Sequence, residues 1–206
     1  MVKFVCELFS FRTSTFSVEQ VGKIFLKAEA TETGLLRVDR HLQGSTIFVA
    51  VKEETTWPFH LINDSTFDLM YNQSKWSDDV KPNQYALLPN ERVDFSWDEP
   101  SATEKQLIIE AGNGKKIPID IYDIGQLRPV MIKLPGGVKK SLSIDIVADG
   151  PVLQIIFRDF DAKNSLFQYR RPSHSMASTV EQTEENYFEI KQVSNVISSC
   201  IRLVLP

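Results

Sequence analysis

Leu142-Ser143-Ile144-Asp145-Ile146 alternates apolar and polar side chains without a break, and this period of two decides the fold. Successive side chains of an extended strand point to opposite faces, so the run implies one buried face and one wet face. A turn signal follows at Asp149-Gly150, and then comes a second strand, Val152-Leu153-Gln154-Ile155-Ile156-Phe157. That strand is apolar on both faces, as is Thr46-Ile47-Phe48-Val49-Ala50-Val51. Both read as central strands covered on two sides. Phe67, Leu69 and Tyr71 share one face by the same alternation. Further strands are predicted over 24–28, 59–62, 106–111, 117–122, 130–134, 187–192 and 200–205, with Asn113-Gly114 and Gly136-Gly137 where hairpins turn. No window carries a sustained helical stripe. Many short strands separated by turns predict an all-β fold of tandem antiparallel β-sandwich repeats.

The chain repeats itself. With Phe4 laid over Leu107, Glu7 meets Glu110, Val18 meets Ile121, Val21 meets Ile124 and Gly22 meets Gly125. A shift of three residues then brings Leu36 onto Leu142, Val38 onto Ile144, Asp39 onto Asp145 and Gly44 onto Gly150. Ile47 to Val51 overlie Leu153 to Phe157, and Glu53 overlies Asp159. A period of about 103 to 106 residues suits a sandwich domain, not a solenoid turn. Trp57 to Pro100 has no earlier counterpart. Residues 1–53 are therefore expected to be the C-terminal half of one repeat, and 54–206 a complete following repeat. The polar stretch 172–186 lacks apolar periodicity and is expected to be a flexible loop.

Composition sets wider limits. The 206 residues are 42% hydrophobic and 24% charged, ordinary for a globular chain, and the formal net charge of -4 argues against a nucleic-acid partner. Lys115-Lys116, Lys139-Lys140 and Arg170-Arg171 lie beside turns and read as solvated pairs, with an anionic-lipid patch as the other reading. Cys6 and Cys200, near opposite ends, form no disulfide framework and suit a reducing cytosol. Glu7 and Arg12 interrupt any signal-peptide core, and no apolar run approaches a membrane span, so the protein is expected to be soluble. Asn63-Asp64-Ser65 and Asn72-Gln73-Ser74 are glycosylation sequons of a kind that arises by chance.

Catalytic and cofactor chemistry is not visible. His41, His60 and His174 have no second ligand at metal spacing. Gly112-Asn113-Gly114-Lys115 lacks the spacing and the following Ser or Thr of a phosphate loop, and reads as a hairpin turn. The oxygens of Asp159 to Asn164 lack the Gly and terminal Glu of a calcium loop and read as an exposed turn. Asp98 and Glu99 are adjacent in an extended chain and face opposite ways, so they make no acid/base couple. No enzyme is expected, and no cofactor. What remains is binding, along a sandwich edge or in an aromatic-lined groove.

Three stretches resemble a known family. Pro82-Asn83-Gln84 followed by Phe95-Ser96-Trp97-Asp98-Glu99-Pro100 is similar to a hallmark of the vacuolar-protein-sorting-thirteen family of bridge-like lipid-transfer proteins, with Phe95 in the place of a Tyr. Pro58-Phe59-His60-Leu61-Ile62-Asn63-Asp64-Ser65 resembles the start of a repeat in that family, and Ile201-Arg202-Leu203-Val204-Leu205-Pro206 resembles a strand before its next conserved region. Together they span most of the chain. The resemblance implies the family's adaptor-binding domain of six β-sandwich repeats, here the latter half of the fifth and the sixth. It also implies non-enzymatic capture of Pro-x-Pro motifs of adaptors on mitochondria, endosomes or other organelles. Such capture would place a lipid-transfer protein at membrane contact sites, as a cytoplasmic protein peripheral to the membrane, with no obligate oligomer. Asn63 matches the characteristic Asn of each repeat, with two roles open: contact with a peptide, or backbone support at a strand-ending turn. Trp57, Phe59 and Tyr71 are the aromatic residues expected to meet prolines. Two other classes compete, a basic lipid-surface module and a secreted adhesion-type sandwich.

Overall fold

The structure, a computed structural model, describes residues 5–6, 11–12, 16, 20–28, 31–74, 82–170 and 188–191. The expected loop 172–186, the strand 200–205, His174 and Cys200 lie outside the described residues. The chain forms two compact units, Met1–Phe160 and Asp161–Pro206.

The first unit holds an all-β sandwich. One layer is a four-stranded antiparallel sheet of β7 (Leu69–Gln73), β8 (Tyr85–Leu87), β10 (Leu107–Ala111) and β11 (Lys115–Ile119), in the order β11-β10-β7-β8. The other is a mixed sheet of β6 (Phe59–Asp64), β9 (Glu91–Phe95), β12 (Gly125–Gln126), β13 (Val130–Lys133), β14 (Lys139–Asp149) and β15 (Val152–Asp159). Its order is β12-β14-β15-β6-β9, with β13 also on β14. One apolar core joins the two layers: Leu69, Leu87, Leu107, Ile109 and Ile119 meet Leu61, Phe95, Leu142, Ile144, Ile155 and Phe157. The alternation read from Phe67, Leu69 and Tyr71 places all three inside.

The pairing of β6 with β15 is parallel, Phe59 beside Leu153 and Asn63 beside Phe157. A parallel neighbour cannot be joined by a hairpin, and here nearly 90 residues of intervening sandwich make the connection. Ser143 is 4% exposed and Ser141, on the same face of β14, is 6% exposed, so this part of the strand is buried on both faces and not wet on one as its alternation suggests. The strand expected over 117–122 ends at Ile119, where Asp120 takes over: its carboxylate accepts from the Tyr122 amide at 3.0 Å and turns the chain.

A three-stranded antiparallel sheet precedes the sandwich: β3 (Gly22–Lys27), β4 (Leu35–Gln43) and β5 (Thr46–Glu53). Phe16, Leu26, Ala28, Leu36 and Val38 form its own small core. Its register repeats that of β12, β14 and β15. Val38 pairs Val51 as Ile144 pairs Phe157, and Gly22 pairs Arg40 as Gly125 pairs Ile146. The turn glycines correspond as well, Gly44 at φ +62° and Gly150 at φ +59°. One expectation fails here. Thr46 to Val51 is not a covered central strand: Ile47, Phe48 and Val49 are 37%, 45% and 38% exposed. Its counterpart β15 lies between β14 and β6, whereas β5 has β4 as its one neighbour among the described residues. The remaining short strands are β1 (Val5–Cys6) with β2 (Phe11–Arg12), and, in the second unit, β16 (Phe167–Tyr169) with β17 (Phe188–Ile190). In that second unit Phe167 and Phe188 are buried, and the Lys191 amide donates to the Leu166 carbonyl at 2.9 Å.

Candidate functional site

A cleft of about 290 Å³ opens where β3 faces the mouth of the sandwich. On the sandwich side its aromatic lining is Phe59, Trp97 and Tyr122, joined by Pro58, Pro100 and Pro151. Phe59 begins β6 and meets Trp97 edge-on at 5.8 Å and Tyr122 edge-on at 6.2 Å. Trp97 in turn packs edge-on against Phe95 at 5.3 Å. Tyr122 follows the turn made by Asp120 and is 58% exposed. Lys23, Ile24 and Phe25 of β3 form the facing wall.

Trp97-Asp98-Glu99-Pro100 builds this mouth residue by residue. Trp97 is 5% exposed, and its indole Nε1 is buried with no hydrogen-bond acceptor among the described residues. Such an orphan donor is costly in a folded core and is rarely left without a use. Asp98 accepts from Lys27 Nζ of β3 at 2.5 Å, and the Lys27 ammonium also lies 5.1 Å and 5.4 Å from the Tyr85 and Phe95 ring centres. This pair ties the three-stranded sheet to the sandwich, and so sets the spacing of the two cleft walls. The Glu99 backbone is held at both groups by the Gln73 amide: its N–H donates to Oε1 at 2.9 Å, and its carbonyl accepts from Nε2 at 3.0 Å. Lys105 donates to the Pro100 carbonyl at 2.7 Å. Burial pushes the Lys105 ammonium below its ordinary pKa, with the Glu99 carboxylate pulling the other way.

The four residues singled out from sequence are not gathered in one place. Phe59 reaches the cleft. Trp57 sits half-buried, with Gly34 so near that an added Cβ would lie 3.5 Å from its ring. Tyr71 stacks on Tyr85 at 5.3 Å inside the core. Asn63 is fully buried. Its Nδ2 donates to the carbonyls of Phe67 at 2.8 Å and Leu87 at 2.9 Å, and its Oδ1 accepts from the Ser65 amide at 3.1 Å and hydroxyl at 2.6 Å. Every hydrogen-bonding position of that side chain is used within the fold. A glycan on Nδ2 would take the place of one of its two N–H donors in a fully buried site. Trp97, Tyr122, Pro100 and Pro151 line the cleft and were not among the residues expected to bind. The Trp97 motif was visible in sequence as a signature, but Tyr122 and Pro151 are brought in from distant turns.

The other chemistry-bearing residues stay apart. His41 stacks on Phe48 at 5.4 Å, and His60 Nδ1 lies 2.7 Å from an Asp94 oxygen across the β6–β9 pair. Asp159 accepts from the Thr66 hydroxyl and amide at 3.0 and 3.2 Å. Asp161 accepts from the Lys163 amide at 2.9 Å, capping its own turn. Lys115 Nζ donates to the Met131 carbonyl at 3.1 Å. Among the described residues no group of three or more His, Cys, Asp or Glu could hold a metal ion, and no helix is long and apolar enough to cross a membrane.

Comparison with known proteins gives matches to a family model and to curated proteins. A model of the family described as "Vacuolar-sorting associated protein 13, adaptor binding domain" matches residues 3–104, a stretch that contains β3 to β5, Asn63 and the Trp97 motif. The "Intermembrane lipid transfer protein VPS13" of Chaetomium thermophilum is 29% identical over 177 residues, which cover 80% of this chain. The chain spans only 6% of the length of that relative. Residues 3–104, with Asn63 and the Trp97 motif among them, thus match the adaptor binding domain of the vacuolar-sorting associated protein 13 family.

Proposed function

We propose that this chain is a non-enzymatic adaptor-binding module whose cleft captures short Pro-x-Pro peptides of organelle adaptors. It would thereby hold an intermembrane lipid transfer protein, as a cytoplasmic and peripheral protein, at membrane contact sites. The family description, an adaptor binding domain, supports the general role. The peptide class is argued from the cleft. Proline-rich segments are already extended and stiff, so they lose little entropy on docking, and they favour aromatic-lined grooves. Phe59, Trp97 and Tyr122 supply such a lining.

The observation that carries the reading is the Trp97 indole N–H, buried without an acceptor at the wall of that cleft. A proline-bearing peptide has carbonyl oxygens that its own backbone does not satisfy, and one of them would complete this donor. On this reading Phe59, Trp97 and Tyr122 contact the ligand, while Asn63 and Tyr71 hold the fold. On the family resemblance, the module would be the latter half of the fifth repeat and the sixth.

Titration of the chain with a fluorescent Pro-x-Pro peptide tests the proposal. Saturable binding is expected. Trp97→Phe, which keeps a ring and removes the N–H, should weaken it by about fivefold, the worth of one hydrogen bond. Tyr122→Ala should weaken it by about tenfold with an unchanged melting temperature, because that ring is largely exposed in the free protein. No saturation up to millimolar peptide would sink the idea.

A further inference from the structure

Two basic pairs that lie apart in the sequence meet at one corner of the sandwich. β13 and β14 form a hairpin whose tip is Leu134-Pro135-Gly136-Gly137-Val138. Lys133 stands directly opposite Lys139 across that hairpin, and Lys140 stands opposite Ile132. The β10–β11 turn closes against the same strands. Lys115 Nζ donates to the Met131 carbonyl at 3.1 Å, and a Cβ on Gly112 would lie 2.7 Å from the Lys133 carbonyl oxygen. Lys116 follows on β11, and Lys140 reaches over the Phe67 ring at 6.0 Å. Five lysines thus share this corner, and all but Lys115 are exposed residues. Three carboxylates lie beside them: Asp68 precedes β7 where it pairs β10, Glu110 is opposite Lys116, and Asp159 is bonded to Thr66. Asp64 and Glu91 lie farther off, on β6 and β9, two and three strands from β14. Positive charge therefore prevails here, on a chain whose formal net charge is -4. At the hairpin tip Val138 is 54% exposed.

Like charges set directly opposite across a ladder weaken a hairpin, and an anionic layer over Lys133 and Lys139 would relieve that penalty. An apolar tip collared by lysines suits the interface of a bilayer. The ammonium groups meet anionic headgroups, while the apolar side chain reaches the boundary with the acyl chains. A nucleic-acid strand would need stacking faces, and the ring at this corner, Phe67, is buried. We infer that this corner of the sandwich docks on an anionic membrane surface, with the lysines over the headgroups and Val138 entering the interface. The cleft lies at the other end of the same strands. β15 runs from Leu153 in the cleft to Asp159, which pairs Leu142 near Lys140, and β6 runs the same way from Phe59. A peptide in the cleft and a membrane at the corner do not compete, and the inference stands without the peptide reading.

Co-sedimentation of the intact chain with vesicles tests it. Vesicles of pure phosphatidylcholine should leave the chain in solution, and vesicles with about 30% phosphatidylserine should carry it down. Binding should fall steeply between about 0.1 and about 0.5 M salt, as the screening length shrinks. Lys133→Ser combined with Lys139→Ser should weaken it about 25-fold, near fivefold for each charge. That variant should melt no lower than the parent, because it removes a like-charged pair. Val138→Ser should weaken binding about threefold, through lost apolar contact alone. Lys52→Ser combined with Arg92→Ser removes two charges on β5 and β9, away from the corner, and should leave binding unchanged. Equal loss in that distant pair, or no binding to the anionic vesicles at about 0.1 M salt, overturns the inference. So does binding to soluble polyglutamate that is as tight as to the vesicles and indifferent to Val138→Ser, which would assign the corner to an acidic polypeptide.

Discussion

Asn63 shows at the scale of one residue how a signature position can serve the fold. Its amide bridges the end of β6, the Phe67 carbonyl at the head of the next strand and the Leu87 carbonyl of the opposite sheet. No smaller polar side chain spans those three points. Asn63→Ser is expected to leave two buried carbonyls without donors and to cost about 2–4 kcal/mol, read as a lowered midpoint in denaturant unfolding. Peptide affinity per folded molecule should stay unchanged. Tyr71 gives a second residue-scale test. Burial first, and then the charges of Tyr85, Glu91 and Asp98, push its phenol up to about 12 from 10.0. The folded state therefore holds that proton more tightly than the unfolded chain does. Stability attributable to this group should be intact below the unfolded value of 10.0 and be lost as pH rises from there through about 12. Unfolding free energies across that alkaline range, compared with Tyr71→Phe, should show a shallower decline in the variant.

Turns and links between strands carry the next level. Gly112 opens the β10–β11 hairpin at φ +59°, where a Cβ would lie 2.6 Å from Ile132 Cγ2 and 2.7 Å from the Lys133 carbonyl oxygen. Gly44 has a similar φ of +62° with nothing near. Gly112→Ala should therefore cost about 3 kcal/mol, the sum of strain and overpacking, against about 1 kcal/mol for Gly44→Ala, both by chemical denaturation. Lys27 and Asp98 link β3 to the sandwich through a pair whose carboxylate is 9% exposed and whose ammonium is 28% exposed. Lys27→Met should remove the ammonium from the largely buried Asp98 carboxylate and destabilise the chain by about 1–3 kcal/mol. Amide exchange should quicken first in β3, because that strand loses its tether.

For the whole molecule, a ligand that binds only the folded cleft must stabilise the fold by mass action. A Pro-x-Pro peptide at about a hundred times its dissociation constant should add roughly 2.7 kcal/mol, seen as a raised melting temperature. Tyr122→Ala at the same peptide concentration should show a smaller rise.

Local chemistry was legible in the sequence wherever neighbours in the chain are neighbours in space. The period of two, the positive-φ glycines at 44 and 150, and the repeat joining Val38–Val51 to Ile144–Phe157 were all readable, because strand phase and hairpin register depend on residues a few places apart. The Trp97 motif and Asn63 were legible as signatures, though their hydrogen bonds were not. Tertiary structure alone decided the rest. It set β6 parallel to β15 across nearly the whole sandwich, which no local pattern encodes. It brought Phe59, Trp97, Tyr122 and Pro151 to one cleft from four separate turns and strand ends, while taking Tyr71 and Asn63 into the core. It also left β5 bare where an apolar run had predicted a covered strand, since burial is a property of what lies beside a strand and not of the strand itself.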